Sequence, residues 1–219
     1  MYKYKKREFF FMLSADLDHY LTVHSHPLSQ ELAVLAHETK ENFESNQMLS
    51  GPLVSTLLRF LVRICRPKLI VDLGTYTGFS ALSMVEVLQD EATLMTCEID
   101  PLHIKEAKKN FQSHPKGHRI EFFEGCAFDC LHSLKTPIDL AFLDANKNTY
   151  LEYYHLIVSK LRSGGVLVMD DALWKGRAIS PSTEREKRMD LINKIVVEDP
   201  MVENLILPIR NGVNLIYKL

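Results

Sequence analysis

Five carboxylates and one lysine carry most of the chemical information in this 219-residue sequence. Asp144, Asp170 and Asp171 each follow a short apolar run. If those runs are neighbouring strands, three oxygen donors converge. Oxygen-only ligands suit Mg²⁺, with Mn²⁺ or Ca²⁺ as alternatives, and not zinc. Without a cation such a cluster repels itself and raises at least one pKa. Strand-end aspartates also cap helices, but a cap needs one carboxylate and Asp170-Asp171 supplies two. Lys147 stands three residues after Asp144, in Asp144-Ala-Asn-Lys147. Taken singly it reads as a surface lysine. Beside a metal-bound hydroxyl, cation proximity and burial lower an amine's pKa and make it a general base.

Asp72 and Glu98 point to a second ligand. Leu69, Ile70 and Val71 form a run typical of a strand buried on both faces, and Asp72, Gly74 and Gly78 follow. Strand, glycine loop and helix make the nucleotide-binding half of a doubly wound sheet. The spacing is G-x-x-x-G, and a carboxylate at Asp72 repels a pyrophosphate while suiting a cationic amine and a ribose. That favours S-adenosylmethionine over NAD. Glu98, roughly 20 residues past the loop at the end of the next strand, is placed to accept hydrogen bonds from ribose hydroxyls.

The elements that must hold these residues alternate. Residues 1–46 read as helices, with Phe9, Phe10, Leu13, Leu17, Tyr20 and Leu21 at helical spacing. A second helix starts near Ser29. Ser50-Gly51-Pro52 breaks the chain, and a helix from Leu53 to Ile64 ends at Arg66-Pro67. Further strands are expected at Thr93–Ile99, Arg119–Glu124, Ile138–Leu143 and Val166–Met169. Tyr150–Leu161 is a helix stopped by Arg162-Ser-Gly-Gly165. Thr183-Glu-Arg-Glu186 is a capping box for a last helix. Strands Asn204–Ile209 and Val213–Leu219 flank the turn signal Asn211-Gly212. The pattern predicts a single α/β domain over 1–219. Residues 1–66 form a helical cap and 67–219 a Rossmann-like, mostly parallel seven-stranded sheet ending in an antiparallel hairpin.

Several stretches together resemble the cation-dependent class I S-adenosylmethionine O-methyltransferases that include caffeoyl-CoA and catechol O-methyltransferases. They are Val71-Asp-Leu-Gly-Thr-Tyr-Thr-Gly-Phe-Ser80, Cys97-Glu-Ile-Asp100, Phe142-Leu-Asp-Ala-Asn-Lys-Asn-Thr-Tyr150, Gly164-Gly-Val, Asp170-Asp-Ala-Leu-Trp-Lys-Gly176 and Leu207-Pro-Ile-Arg-Asn-Gly212. The resemblance runs from about His24 to the C-terminus. It implies that Met48 and Ser50 line the methionine end of the cofactor and that Asp72, Gly74 and Thr75 hold its amino-acid part. Ser80 would lie near its carboxylate, Glu98 at the ribose, Ala127 at the adenine and Asn146 close by. Asp144 would serve both cofactor and metal, with Asp170 and Asp171 completing the metal site and Lys147 acting as base. It further implies a phenolic, catechol-like small-molecule acceptor and a homodimer. The chain departs from the family pattern at Asp171, where Asn is common. Val54-Ser55-Thr56 stands for the usual Glu-Gly-Gln, and Asn211 for an acidic residue of the last hairpin.

Composition is that of a globular chain, 46% hydrophobic and 25% charged. A net charge of −2 gives no electrostatic support to a nucleic-acid role. Cys65, Cys97, Cys126 and Cys130 contain no C-x-x-C pair and read as reduced, cytoplasmic thiols. No apolar run approaches the ~20 residues that span a bilayer, and Phe9–Leu13 is short for a signal peptide; no membrane role is expected. His19, His24, His26 and His37 read as surface residues. The rival readings are a hydride-transferring Rossmann enzyme, which needs G-x-G-x-x-G, a methyltransferase-fold binding protein without catalysis, and a metal-independent methyltransferase.

Overall fold

The computed structural model describes residues 15–219; Phe9, Phe10 and Leu13 of the expected first helix lie outside them. Helix α1 (Ala15–Val23) and helix α2 (Gln30–Asn42) precede the sheet. Ser29 caps α2, its hydroxyl accepting from the Leu32 amide. All four of the early histidines are exposed. Helix α3 (Gly51–Cys65) begins two residues before the expected position. Pro52 sits in its first turn, where a missing N–H costs nothing, so Ser50-Gly51-Pro52 starts the helix. The 20 residues Asn46–Cys65 are long and apolar enough to cross a membrane on length and composition alone. Here Val54, Leu58 and Val62 of that stretch are fully buried in the core on one face of the sheet.

Seven strands form one sheet in the order β3-β2-β1-β4-β5-β7-β6. They are β1 (Leu69–Leu73), β2 (Thr93–Glu98), β3 (Ile120–Glu124), β4 (Ile138–Leu143), β5 (Leu161–Met169), β6 (Val202–Leu207) and β7 (Val213–Lys218). The first five are parallel, and β7 runs antiparallel to both β5 and β6. The order reverses between β1 and β4, and such a switch point opens a crevice at the carboxyl ends of the strands. Helices α4 (Phe79–Val85), α5 (Pro101–Ser113), α6 (Ala127–Ser133), α7 (Tyr150–Lys160) and α8 (Glu184–Glu198) complete the chain. Asp100 caps α5, and Thr183 with Glu186 forms the expected capping box on α8.

Two strands differ from the sequence expectation by two residues or more. β5 begins at Leu161, because Leu161 pairs with Ile138 before a register shift lets Val166 pair with Leu140. Gly164, at φ +78°, lies in this irregular stretch, so Arg162 to Gly165 belong to the strand that follows the helix. β6 is displaced two residues toward the N-terminus, running from Val202 to Leu207 rather than from Asn204 to Ile209.

Strand alternation sorts β1 between two cores. Leu69, Val71 and Leu73 enter the one packed under α7 and α8, and Ile70 enters the one under α3 and α4. β1 continues through Leu73, so Asp72 is a sheet residue and faces α4 with Ile70.

Candidate active site

A cavity of 720 Å³ opens at the switch point. Gly74, Glu98, Ala127, Asp144 and Asn146 lie on its wall, and Met48 lies on its rim. Of the residues expected at the cofactor, Ser50, Asp72, Thr75 and Ser80 are buried behind that wall.

Gly74 has φ +105°, and an added Cβ would fall on the backbone carbonyl of Asp144. The loop is held down by the Cys97 carbonyl, which accepts from the amides of Gly74 at 3.3 Å and Thr75 at 3.1 Å. Behind it runs a polar chain. Thr75 Oγ1 and Thr96 Oγ1 are 2.6 Å apart, Thr96 Oγ1 donates to Asp72 Oδ2 at 2.8 Å, and Ser80 Oγ donates to the same carboxyl at 3.1 Å. Asp72 therefore braces β1 against β2 and α4.

Burial pushes the Asp72 carboxyl up to about 7, against the opposing bonds from Thr96 and Ser80. A carboxyl whose pKa is raised on folding adds stability below its unfolded pKa, and that stability is lost as pH rises through the folded value. The ligand-free protein should thus lose stability between about pH 4 and 7 at this residue, by up to ~4 kcal/mol on the usual conversion. Asp72→Asn is expected to flatten that fall. Urea unfolding at pH 5, 7 and 8 checks it, and parallel pH profiles for the two proteins would refute this origin.

Glu98 ends β2, and its carboxylate is fixed by three backbone amides. Tyr76 N donates to Oε2 at 2.8 Å, and Ile99 N and Asp100 N donate to Oε1 at 2.9 and 3.0 Å. A carboxylate has about four acceptor sites, so capacity remains for a hydroxyl. Tyr76, not singled out by sequence, lines the same wall and meets His103 edge to face, with ring centroids 4.7 Å apart. Only its place in the glycine loop could have signalled it.

The second half of the cavity brings Asp144, Asp171 and Lys147 together on its wall, with Asp170 fully buried behind them. Lys147 Nζ bonds Asp144 Oδ1 and lies 3.0 Å from Asp171 Oδ2. Arg210 Nη1 lies 3.1 Å from Asp170 Oδ2 and 3.7 Å from Asp171 Oδ1, and its Nη2 donates to the Gln47 carbonyl. Asn211 Nδ2 donates to Asp171 Oδ1 at 2.8 Å. Arg210 lay in the hairpin motif with no role assigned to it. The pairing of Met169 with Asn214 brings the turn before β7 alongside Asp170-Asp171, and only that register reveals it.

Burial raises Asp170 to about 8, with Asp144 and Asp171 adding to the effect and Arg210 opposing it. Burial also raises Asp144, against the pull of Lys147. At Asp171 burial acts upward too, but Lys147, Asn211 and Arg210 outweigh it and hold the carboxyl low. For Lys147 burial favours the neutral amine, yet Tyr150, Asp144 and Asp171 outweigh it and hold the ammonium well above the usual lysine range. In this arrangement the expected neutral amine is thus not the favoured form.

Among the described residues no group of three or more His, Cys, Asp and Glu side chains is arranged to hold a metal ion as it stands. The expected triad does come together, but the cations between its carboxylates are Lys147 and Arg210. Three ionised carboxylates against two cations would leave an excess of negative charge in a desolvated place, and burial together with Asp144 and Asp171 pushes Asp170 toward its neutral form. The donor set is all oxygen, which is the chemistry a hard divalent cation requires, and in that respect the residues fit one.

A parallel sheet reversing at β1 and β4, a glycine turn without phosphate-binding spacing, and an acidic residue ending β2 define a Rossmann-like methyltransferase. The chain belongs to the O-methyltransferase family, whose profile matches residues 22–219. It is 28% identical over 208 residues to "probable caffeoyl-CoA O-methyltransferase 2" of Dictyostelium discoideum, covering 91% of this chain and 90% of that one. It is 28% identical to mouse "catechol O-methyltransferase domain-containing protein 1", over 90% of this chain and 77% of the other. The SAH-bound methyltransferase of Podospora anserina superposes with a TM-score of 0.88 at 26% identity, over 99% of this chain and 100% of the other. The protein is an S-adenosylmethionine-dependent O-methyltransferase.

Proposed function

We propose that this enzyme methylates a hydroxyl of a catechol-like or other vicinal-diol phenolic small molecule, and that it does so with a divalent cation, Mg²⁺ in the first instance. The observation that carries this reading is that Asp144, Asp171 and Lys147 line one cavity with Gly74 and Glu98, with Asp170 buried directly behind them and tied to Asp171 through Arg210. The names of the relatives, caffeoyl-CoA and catechol O-methyltransferases, support the acceptor class.

Asp144, Asp170 and Asp171 would hold the cation, which when bound supplies Lewis-acid polarisation of an acceptor oxygen. The rest follows from the chain's own groups. The acidic wall, with Glu98 and Asp144, attracts the positively charged cofactor. With Asp144 and Asp171 engaged otherwise, the Lys147 ammonium first gives a proton to solvent, and the neutral amine then accepts the phenolic proton at Nζ. The phenolate oxygen then forms a bond to the methyl carbon as the carbon–sulfur bond breaks, and the electron pair stays on a sulfur that becomes neutral. Holding both reactants in one cavity converts a bimolecular step into an oriented one. Loss of the sulfonium charge weakens the hold of the acidic wall on the product.

Chelation tests the reading. Methylation of pyrocatechol should stop in excess chelator and return with Mg²⁺. Asp170→Ala should weaken Mn²⁺ binding, followed by calorimetry, at least tenfold, since changes to outer-shell partners alone cost about 10–100-fold. Full turnover in chelator, or Mn²⁺ affinity unchanged by the substitution, would overturn it.

A further inference from the structure

The cavity is divided by charge. Glu98, Asp100 and Asp144 line the part at the ends of β1, β2 and β4, and Lys175, Arg185 and Arg210 line the part around Trp174. The acidic part is accounted for by a cationic cofactor. Arg210 is accounted for by Asp170 and Asp171. Lys175 and Arg185 are not accounted for: among the described residues neither has a carboxylate partner. Arg185 instead lays its guanidinium over the Trp174 ring, 4.5 Å from the centroid. Lys175 follows Trp174 directly in the loop after β5.

A guanidinium stacked on an indole keeps the donors along its edge free, and that edge matches a carboxylate. Lys175, the residue after Trp174 and a lining residue of the same cavity, adds a second charge of the same sign. A flat acceptor bound near Trp174 would bring any substituent at its outer end toward these two groups.

We propose that Lys175 and Arg185, with Trp174, form a subsite for a carboxylate carried on the aromatic acceptor, so that the preferred acceptors are hydroxylated aromatic acids. The proposal deepens the catechol reading above and rests on it. Lys175 and Arg185 set specificity, while the reacting oxygen remains at the Lys147 end of the cavity.

The test compares protocatechuate with its neutral methyl ester, using pyrocatechol as the acceptor without a substituent and caffeoyl-CoA as one whose phosphate charges lie far from the ring. Wild-type enzyme should favour the acid over the ester by about three- to tenfold in kcat/KM, mainly through KM, the effect of two solvent-exposed ion pairs. The preference should shrink as salt is raised. In the Lys175→Ala/Arg185→Ala double variant the ratio should fall to about one. The charge-conserving Lys175→Arg/Arg185→Lys variant should keep most of it, which separates charge from folding. Calorimetric titration of the SAH- and Mg²⁺-loaded enzyme with protocatechuate and with the ester should give the same ordering without turnover. Equal use of acid and ester by the wild type, or a preference that survives in the double alanine variant, overturns this proposal alone. An effect of the double variant confined to caffeoyl-CoA also overturns it, assigning the two cations to phosphates. If neither pyrocatechol nor the dihydroxy compounds are bound or methylated, the catechol reading falls and takes this proposal with it.

Discussion

Replacing Lys147 by methionine is expected to lower kcat on a catechol acceptor by about 10²–10⁴, the usual worth of a positioned base. The amine is nine-tenths buried, joined to Asp144 and 3.0 Å from Asp171, and it lies 4.8 Å from the centroid of the Tyr150 ring. Its partners hold it as an ammonium until they are engaged otherwise. Proton transfer at this position is therefore coupled to whatever binds Asp144 and Asp171. Methionine keeps much of the stem but leaves Asp144 without its paired cation and Asp171 with Arg210 alone, so lost stability would mimic lost catalysis. Lys147→Arg separates the two, because a guanidinium restores the charge and does not accept a proton at working pH. The arginine variant should recover the melting temperature but not kcat. Affinity for S-adenosylhomocysteine should change little in either variant. The loss should shrink for acceptors with more acidic phenols, which need less help to ionise. Equal losses across an acceptor pKa series would indicate positioning, and unchanged kcat under chemistry-limited conditions would remove Lys147 from the mechanism.

Gly74→Ala is expected to destabilise the protein by about 2–6 kcal/mol and to weaken S-adenosylhomocysteine binding more than tenfold. Two costs combine: a non-glycine residue in the left-handed region, roughly 1–3 kcal/mol, and overpacking, roughly 1–3 kcal/mol. The methyl group would meet the Asp144 carbonyl, so the ends of β1 and β4 would have to part. Those ends are joined by Asp144 N donating to the Leu73 carbonyl at 2.9 Å. Parting them moves Asp144, and Lys147 with it. Gly51 provides the control, since its φ is +83° and an added Cβ meets nothing within 4 Å. Gly51→Ala should show the conformational cost alone, about 1–3 kcal/mol. Chemical denaturation and ligand titration of both variants check the comparison. Equal stabilities would show that the approach of Gly74 to Asp144 carries no energy.

The sequence by itself determined the strand–helix order, the glycine loop, the carboxylates at the strand ends, the start of a helix near Ser29 and the capping box at Thr183. These depend on local periodicity, on φ-restricted residues and on side chains that bond their own backbone, all contained within a few residues. The facing of Asp72 was not legible, because it turns on whether β1 ends before or after that residue, and one position of strand inverts the side-chain direction. Nor was the five-residue earlier start of β5, which follows from pairing with Ile138 across an irregular register. The largest gap was the charge pairing in the acceptor half. Arg210 and Asn211 meet Asp170 and Asp171 across 40 positions of chain, and Arg185 of α8 reaches the Trp174 indole in the loop after β5. Nothing local encodes such meetings. They are fixed by the antiparallel pairing of β5 with β7 and by the burial of α8, which bring remote segments to the same end of the sheet.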